Sequence, residues 1–137
     1  MIMNNNKVNT QENLEGNIGI LKVILKGTII SMLVTLIFLL IFSVVLTYTN
    51  LSEDIINPGI IVLTAISIII GASISTIKTK KRGIVNGGII GIVYMLFLYL
   101  ISSMVTSNFG LDLYSVIMLV VGIMAGMLGG IVGVNMK

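Results

Sequence analysis

Four apolar runs, each about as long as a bilayer is thick, constrain this chain more than anything else in it. Hydrophobic sequence runs from Gly27 to Tyr48, Gly59 to Ile77, Gly83 to Val105 and Leu113 to Val134. About 20 helical residues cross a hydrocarbon core of roughly 30 Å at 1.5 Å per residue. The residues are 56% hydrophobic and 9% charged, against about 25% charged in an ordinary soluble domain, and a soluble fold could not solvate such a surface. The expected fold is an all-α integral membrane protein. Its four transmembrane helices are placed at about 20–48, 58–77, 83–105 and 113–134, within one domain over 18–137.

The composition removes most catalytic vocabulary. There are no cysteines, histidines or tryptophans, so thiolate and imidazole metal sites, disulfides and the Ser/His/Asp and Cys/His nucleophile systems are all absent. No catalytic, metal or cofactor residue is assigned, and no enzyme is expected. The net charge of +3 and pI near 9.3 would suggest nucleic acid in a soluble protein. Here the bases sit beside apolar spans, where they read as topology signals, and no nucleic-acid partner is expected.

Residues Met1 to Asn17 are rich in Asn and Gln, carry Glu12, Glu15 and Lys7, and show no apolar period; they read as a polar, disordered tail. The polar lead is long and the following apolar run exceeds a signal-peptide core, so the first span is expected to stay in the protein. Lys22 and Lys26 share a face one turn apart, where they can snorkel to headgroups. Thr28, Ser31 and Thr35 form a mildly polar stripe suited to facing another helix, although hydroxyls there can also bond their own i−4 carbonyls. Glu53 and Asp54 lie in the first connector, Pro58 is placed in the first turn of the second span, and Asp112 is the only charge of the last connector. Tyr48 and Tyr114 fall at span ends, where amphipathic rings settle at the interface.

Orientation follows from the bases. Lys7, Lys22, Lys26, Lys137 and the central turn of Lys78, Lys80, Lys81 and Arg82 all fall on one side of four spans, and Glu53, Asp54 and Asp112 on the other. The positive-inside rule places both termini and the central turn in the cytoplasm of a cell-membrane protein. The same four bases of the turn suit anionic lipid headgroups, at about 1 kcal/mol per near-surface base.

Small residues supply the packing signal. Gly122, Gly126 and Gly130 recur every four residues in the fourth span, and Ala125, Gly129 and Gly133 repeat that spacing one step round; Gly83, Gly87 and Gly91 do the same in the third, and Ser67, Gly71 and Ser75 in the second. Lipid offers Leu-rich helices no hydrophobic drive to associate, so close approach along such stripes is how they gain contact. The stripes read either as internal seams of a four-helix bundle or, for one of the two on the fourth span, as a seam for a second copy or a membrane-protein partner. Shifting the chain by 60 residues aligns Lys26–Val45 with Asn86–Val105, with matches that include Gly27/Gly87, Leu36/Leu96 and Ser43/Ser103. That suggests a duplicated two-helix hairpin, with Gly71 and Ser75 answering to Gly122 and Gly126.

The stretch Lys80 to Ser103, a basic turn, then Gly-x-x-x-Gly-Gly-x-x-Gly, then an aliphatic run with Tyr94, resembles the YrzE-like family of small four-span membrane proteins of Gram-positive, often spore-forming, bacteria. Length and span count agree along roughly 18–137. The resemblance implies a four-helix membrane protein and supplies no site residues.

Function is weighed on what the spans contain. A proton-coupled small multidrug exporter needs a carboxylate within the membrane, and every acid here lies in a connector or before the first span. A hole-forming or channel-like oligomer needs few special residues but wants a sustained polar face. Tyr94, Tyr99 and Asn86 do not form an acid, base and nucleophile set. The expectation is a non-catalytic multi-pass protein that packs with itself or a membrane partner.

Overall fold

The computed structural model describes residues 2–49, 52–79, 82–106 and 113–136. These form four helices: α1 (Ile2–Tyr48), α2 (Glu53–Thr76), α3 (Gly83–Thr106) and α4 (Leu113–Asn135). All four are long and apolar enough to cross a membrane. This is an all-α, four-span membrane protein.

Two boundaries differ from the expectation. Residues 2–17, read above as a disordered tail, continue α1 as helix. Extending an existing helix costs little once its nucleus is in place, and Gln11, Glu12, Leu14 and Glu15 are good helix formers. α2 starts at Glu53, after an extended Ser52, so Pro58 lies in the second turn and not the first. Asp54 supports the early start, because a carboxylate in a first turn sits against the positive end of the helix dipole. At Pro58 the missing N–H leaves only the Asp54 carbonyl without its i+4 donor.

Contacts order the helices. α4 packs on α3 and α2, α1 packs on α2 and α3, and α2 touches α3; α1 and α4 do not meet among the described residues. α2 and α3 therefore form the shared middle, with α1 and α4 on opposite sides. The outer surface is aliphatic, with Leu33, Leu36, Leu40, Val62, Leu96 and Leu128 all exposed. Inside, Thr28, Ser31, Thr35, Thr64, Ser67, Ser75, Thr76 and Asn86 are buried, and the apolar centre is a small cluster of Ile68, Tyr94, Met95 and Ala125. Large aliphatics gain nothing by leaving lipid, whereas small and hydroxyl side chains gain backbone proximity and hydrogen bonds inside, so the distribution is what a bilayer imposes.

The α2–α3 turn is short. Thr79 N donates to Thr76 O at 2.8 Å, Arg82 takes a left-handed φ of 66°, and Asn86 N donates to Arg82 O at 3.0 Å to open α3. Lys78 and Arg82 are exposed. Lys80, Lys81, the connector bearing Asp112, and Lys137 lie outside the described residues.

Candidate functional site

The small residues singled out in the sequence converge on three seams. Along α3·α4 the helices run antiparallel, with Gly83, Gly87 and Gly91 against Gly130, Gly126 and Gly122. A β-carbon on Gly87 would stand 2.8 Å from the Gly130 Cα and closer still to the Gly126 carbonyl oxygen. One on Gly126 would stand 3.1 Å from the Gly91 Cα, one on Gly130 3.1 Å from the Gly87 Cα, and one on Gly83 2.5 Å from the Gly130 oxygen. Gly91 faces the Gly122 carbonyl in the same way, while Gly122 itself meets the Met95 side chain. At Gly87, Gly91, Gly126 and Gly130 the two backbones touch with no side chain between them, and the Val134 and Met95 side chains close the seam at Gly83 and Gly122.

The second stripe of α4 turns to α2. A β-carbon on Gly129 would lie 2.6 Å from Ile69 O and 2.9 Å from the Ala72 β-carbon, and one on Gly133 would lie 2.9 Å from the Ser73 Cα. Ala125 is buried within the central cluster. A glycine stripe leaves backbone carbonyls open to a neighbour's hydroxyls, and α2 uses them: Ser73 Oγ shares its one proton between its own Ile69 O at 2.7 Å and Gly129 O at 3.0 Å. Thr76 Oγ1 bonds Ala72 O at 2.7 Å and reaches Gly130 O at 3.5 Å. Both stripes of α4 thus face helices of the same chain.

The third seam joins α1 to α2. A β-carbon on Gly71 would stand 2.6 Å from the Ser31 nitrogen, one on Gly27 would stand 3.1 Å from the Ser75 β-carbon, and Ser75 Oγ donates to Val23 O. Ser67 is buried and bonds its own Leu63 O at 2.8 Å. This seam repeats the register of α3·α4. Moving 60 residues from α1 to α3, and 51 from α2 to α4, carries Gly27/Ser75 onto Gly87/Gly126 and Ser31/Gly71 onto Gly91/Gly122. Two hairpins with equivalent crossings are what a duplicated hairpin predicts.

Sequence reasoning missed the polar link between α1 and α3. Thr35 Oγ1 lies 2.7 Å from Tyr94 Oη. The only Thr35 hydroxyl proton goes to Ser31 O at 2.8 Å, so Tyr94 donates and Thr35 accepts. Thr28 likewise bonds Ile24 O at 3.0 Å; the stripe on α1 faces the interior, and the hydroxyls of Thr28 and Thr35 are satisfied by their own helix. Interhelical hydrogen bonds in membranes average about 0.6 kcal/mol. Tyr94→Phe and Thr35→Val are each expected to lower stability by about that amount, and the double variant to cost no more than either alone. Denaturation midpoints in detergent would check this, and additive losses would contradict the pairing.

Ser31 Oγ is fully buried without a hydrogen-bond partner, pressed against Gly71. No group of His, Cys, Asp and Glu side chains that could hold a metal occurs among the described residues. What the arrangement can do chemically is hold helices at backbone contact.

Comparison with known families gives one finding: a family model described as Protein of unknown function (DUF3792) matches residues 20–133. No curated protein and no solved structure matches the chain.

Proposed function

The chain belongs to the DUF3792 family, whose description assigns no activity, and from that premise we propose that it is a non-catalytic membrane protein acting by association within the bilayer. What supports this reading is the use made of the interior. Both stripes of α4 and the Gly71 seam are filled by helices of the same chain, and the buried hydroxyls of Thr35, Ser67, Ser73 and Thr76 bond backbone carbonyls. Those groups are committed to packing. Association with a second copy or a membrane-protein partner then falls to the aliphatic outer faces of α1 and α4, since the chain itself occupies its glycine faces. The reading includes cell-membrane placement with both termini in the cytoplasm, anionic headgroups held at Lys78, Lys80, Lys81 and Arg82, and kinship with the YrzE-like proteins of Gram-positive bacteria.

A channel-like oligomer is the second reading, favoured by the buried hydroxyls Thr28, Ser31, Thr35, Thr64, Ser67 and Ser75. Reconstitution separates the two. Dye-loaded liposomes carrying the protein are expected to stay tight, and crosslinking in native membranes to recover a second copy or a stoichiometric partner; leak would favour the channel and overturn the first reading. Reporters fused after Lys137 and within Ser52–Asn57 are expected to report opposite sides, and agreement between them would overturn the orientation.

A further inference from the structure

The register of the bundle leaves part of α1 without protein cover. Ser75 Oγ donates to Val23 O, which sets Val23 level with the last turn of α2, just before exposed Lys78. α1 nevertheless continues back to Ile2, roughly 30 Å further at 1.5 Å per residue. Every residue from Thr10 to Lys22 is exposed, and a β-carbon on Gly16 or Gly19 would meet nothing within 4 Å.

That uncovered stretch carries an apolar stripe, with Ile20, 38% exposed, the one exposed large aliphatic off it. Leu14, Ile18, Leu21 and Leu25 alternate spacings of four and three, which at 3.6 residues per turn gathers them within about 60° of arc. They are 54%, 52%, 56% and 52% exposed. By the same geometry Lys22 lies about 70° from the centre of the stripe, Glu15 about 90°, Lys26 about 110° and Glu12 about 150°. Continuity with the rest of α1 keeps this stretch helical, but exposed aliphatics gathered on one face leave apolar surface that water disfavours, so the stripe needs a cover.

Lipid is the cover that fits. The uncharged run from Gly27 to Tyr48 already rises about 33 Å, enough for a hydrocarbon core of about 30 Å, so the turns just before it, with Lys22 and Lys26, fall in the headgroup zone. The cations Lys22 and Lys26 flank the stripe at that level, and Lys78 and Arg82 are exposed at the same end of the bundle.

We propose that Thr10 to Lys26 is an interfacial segment whose occupant is an anionic bilayer surface. Leu14, Ile18, Leu21 and Leu25 sink among the outermost acyl carbons, Lys22 and Lys26 reach phosphate oxygens, and Gly16 and Gly19 let the first turns lean from the bundle axis. Amphipathic helices with cationic flanks bind interfaces by this combination of apolar burial and attraction. The inference needs only the four-span embedding, so it stands or falls separately from the partner reading.

The chain has no cysteine, so single spin labels can be placed freely in the full-length protein. With the protein in phosphatidylcholine vesicles containing phosphatidylglycerol, labels at 14, 18, 21 and 25 are expected to respond more to oxygen than to an aqueous nickel chelate. Labels at 12, 16 and 19 should show the reverse. Lys22→Gln and Lys26→Gln should each weaken surface attachment about fivefold, from roughly 1 kcal/mol per base, read as a rise in nickel response at 14 and 18. Equal nickel access at all seven positions, meaning a helix free in water, would overturn the proposal. So would a stripe shielded from both reagents, meaning a protein partner.

Discussion

Gly126→Leu is expected to separate α3 from α4 and to lose the folded bundle. Gly126 meets the Gly87 carbonyl and lies 3.1 Å from the Gly91 Cα once given a β-carbon. A leucine there confronts backbone, which cannot rotate away as a side chain can. Over-packing a well-fitted interior usually costs about 1–3 kcal/mol and occasionally more; with a backbone as the obstacle the cost should be at least about 3 kcal/mol. Lipid does not penalise exposed leucines, so nothing in the solvent drives the helices back together.

Two glycine variants serve as controls. Gly88→Ala meets only the Met127 side chain, its Cγ at 3.2 Å, which is flexible, and Gly19→Ala meets nothing. The first should be near neutral. The second should stabilise α1 by about 0.5–1 kcal/mol, the usual gain on replacing an exposed helical glycine. Denaturation midpoints in detergent would rank the three; a Gly126→Leu protein as stable as Gly88→Ala would mean that α4 turns this stripe elsewhere.

The span count was legible because hydropathy and length alone carry it: Pro58, Lys78 to Arg82 and the acidic connectors punctuate runs too apolar for any other fate. The repeated spacing was legible too: Gly27/Gly87 and Gly71/Gly122, matched in the sequence, stand at equivalent crossings in the structure. Which helix each stripe meets was not. Gly122/Gly126/Gly130 and Ala125/Gly129/Gly133 differ by one step round α4, and spacing cannot say that one turns to α3 and the other to α2. The bonds made by Ser73 and Thr76 were not legible for a related reason. Their partners are the Gly129 and Gly130 carbonyls, and backbone groups leave no mark in a sequence. Tyr94 pairs with Thr35 across 59 residues, a link that only the helix arrangement creates. Leu14 lay in a stretch whose asparagines hid its spacing to Ile18.

A disulfide between α3 and α4 tests the central claim, that the glycine seam lies inside one chain. In Gly88→Cys with Met127→Cys, the new β-carbon at 88 would stand 3.2 Å from the position of the Met127 Cγ, which the sulfur introduced at 127 would roughly occupy. A bridge needs β-carbons about 3.5–4.5 Å apart, and this pair can meet that with little movement. The native chain has no cysteine, so no other thiol competes. Treated with a membrane-permeant oxidant, the double variant is expected to become almost wholly bridged within single chains, seen as protection of both thiols from a mass-tagged maleimide at monomer mobility. Gly88→Cys with Met124→Cys, whose second position is exposed on the outer surface, should stay open. Bridging chiefly between chains, or no bridge at 88 and 127 while 88 and 124 link, would contradict the account.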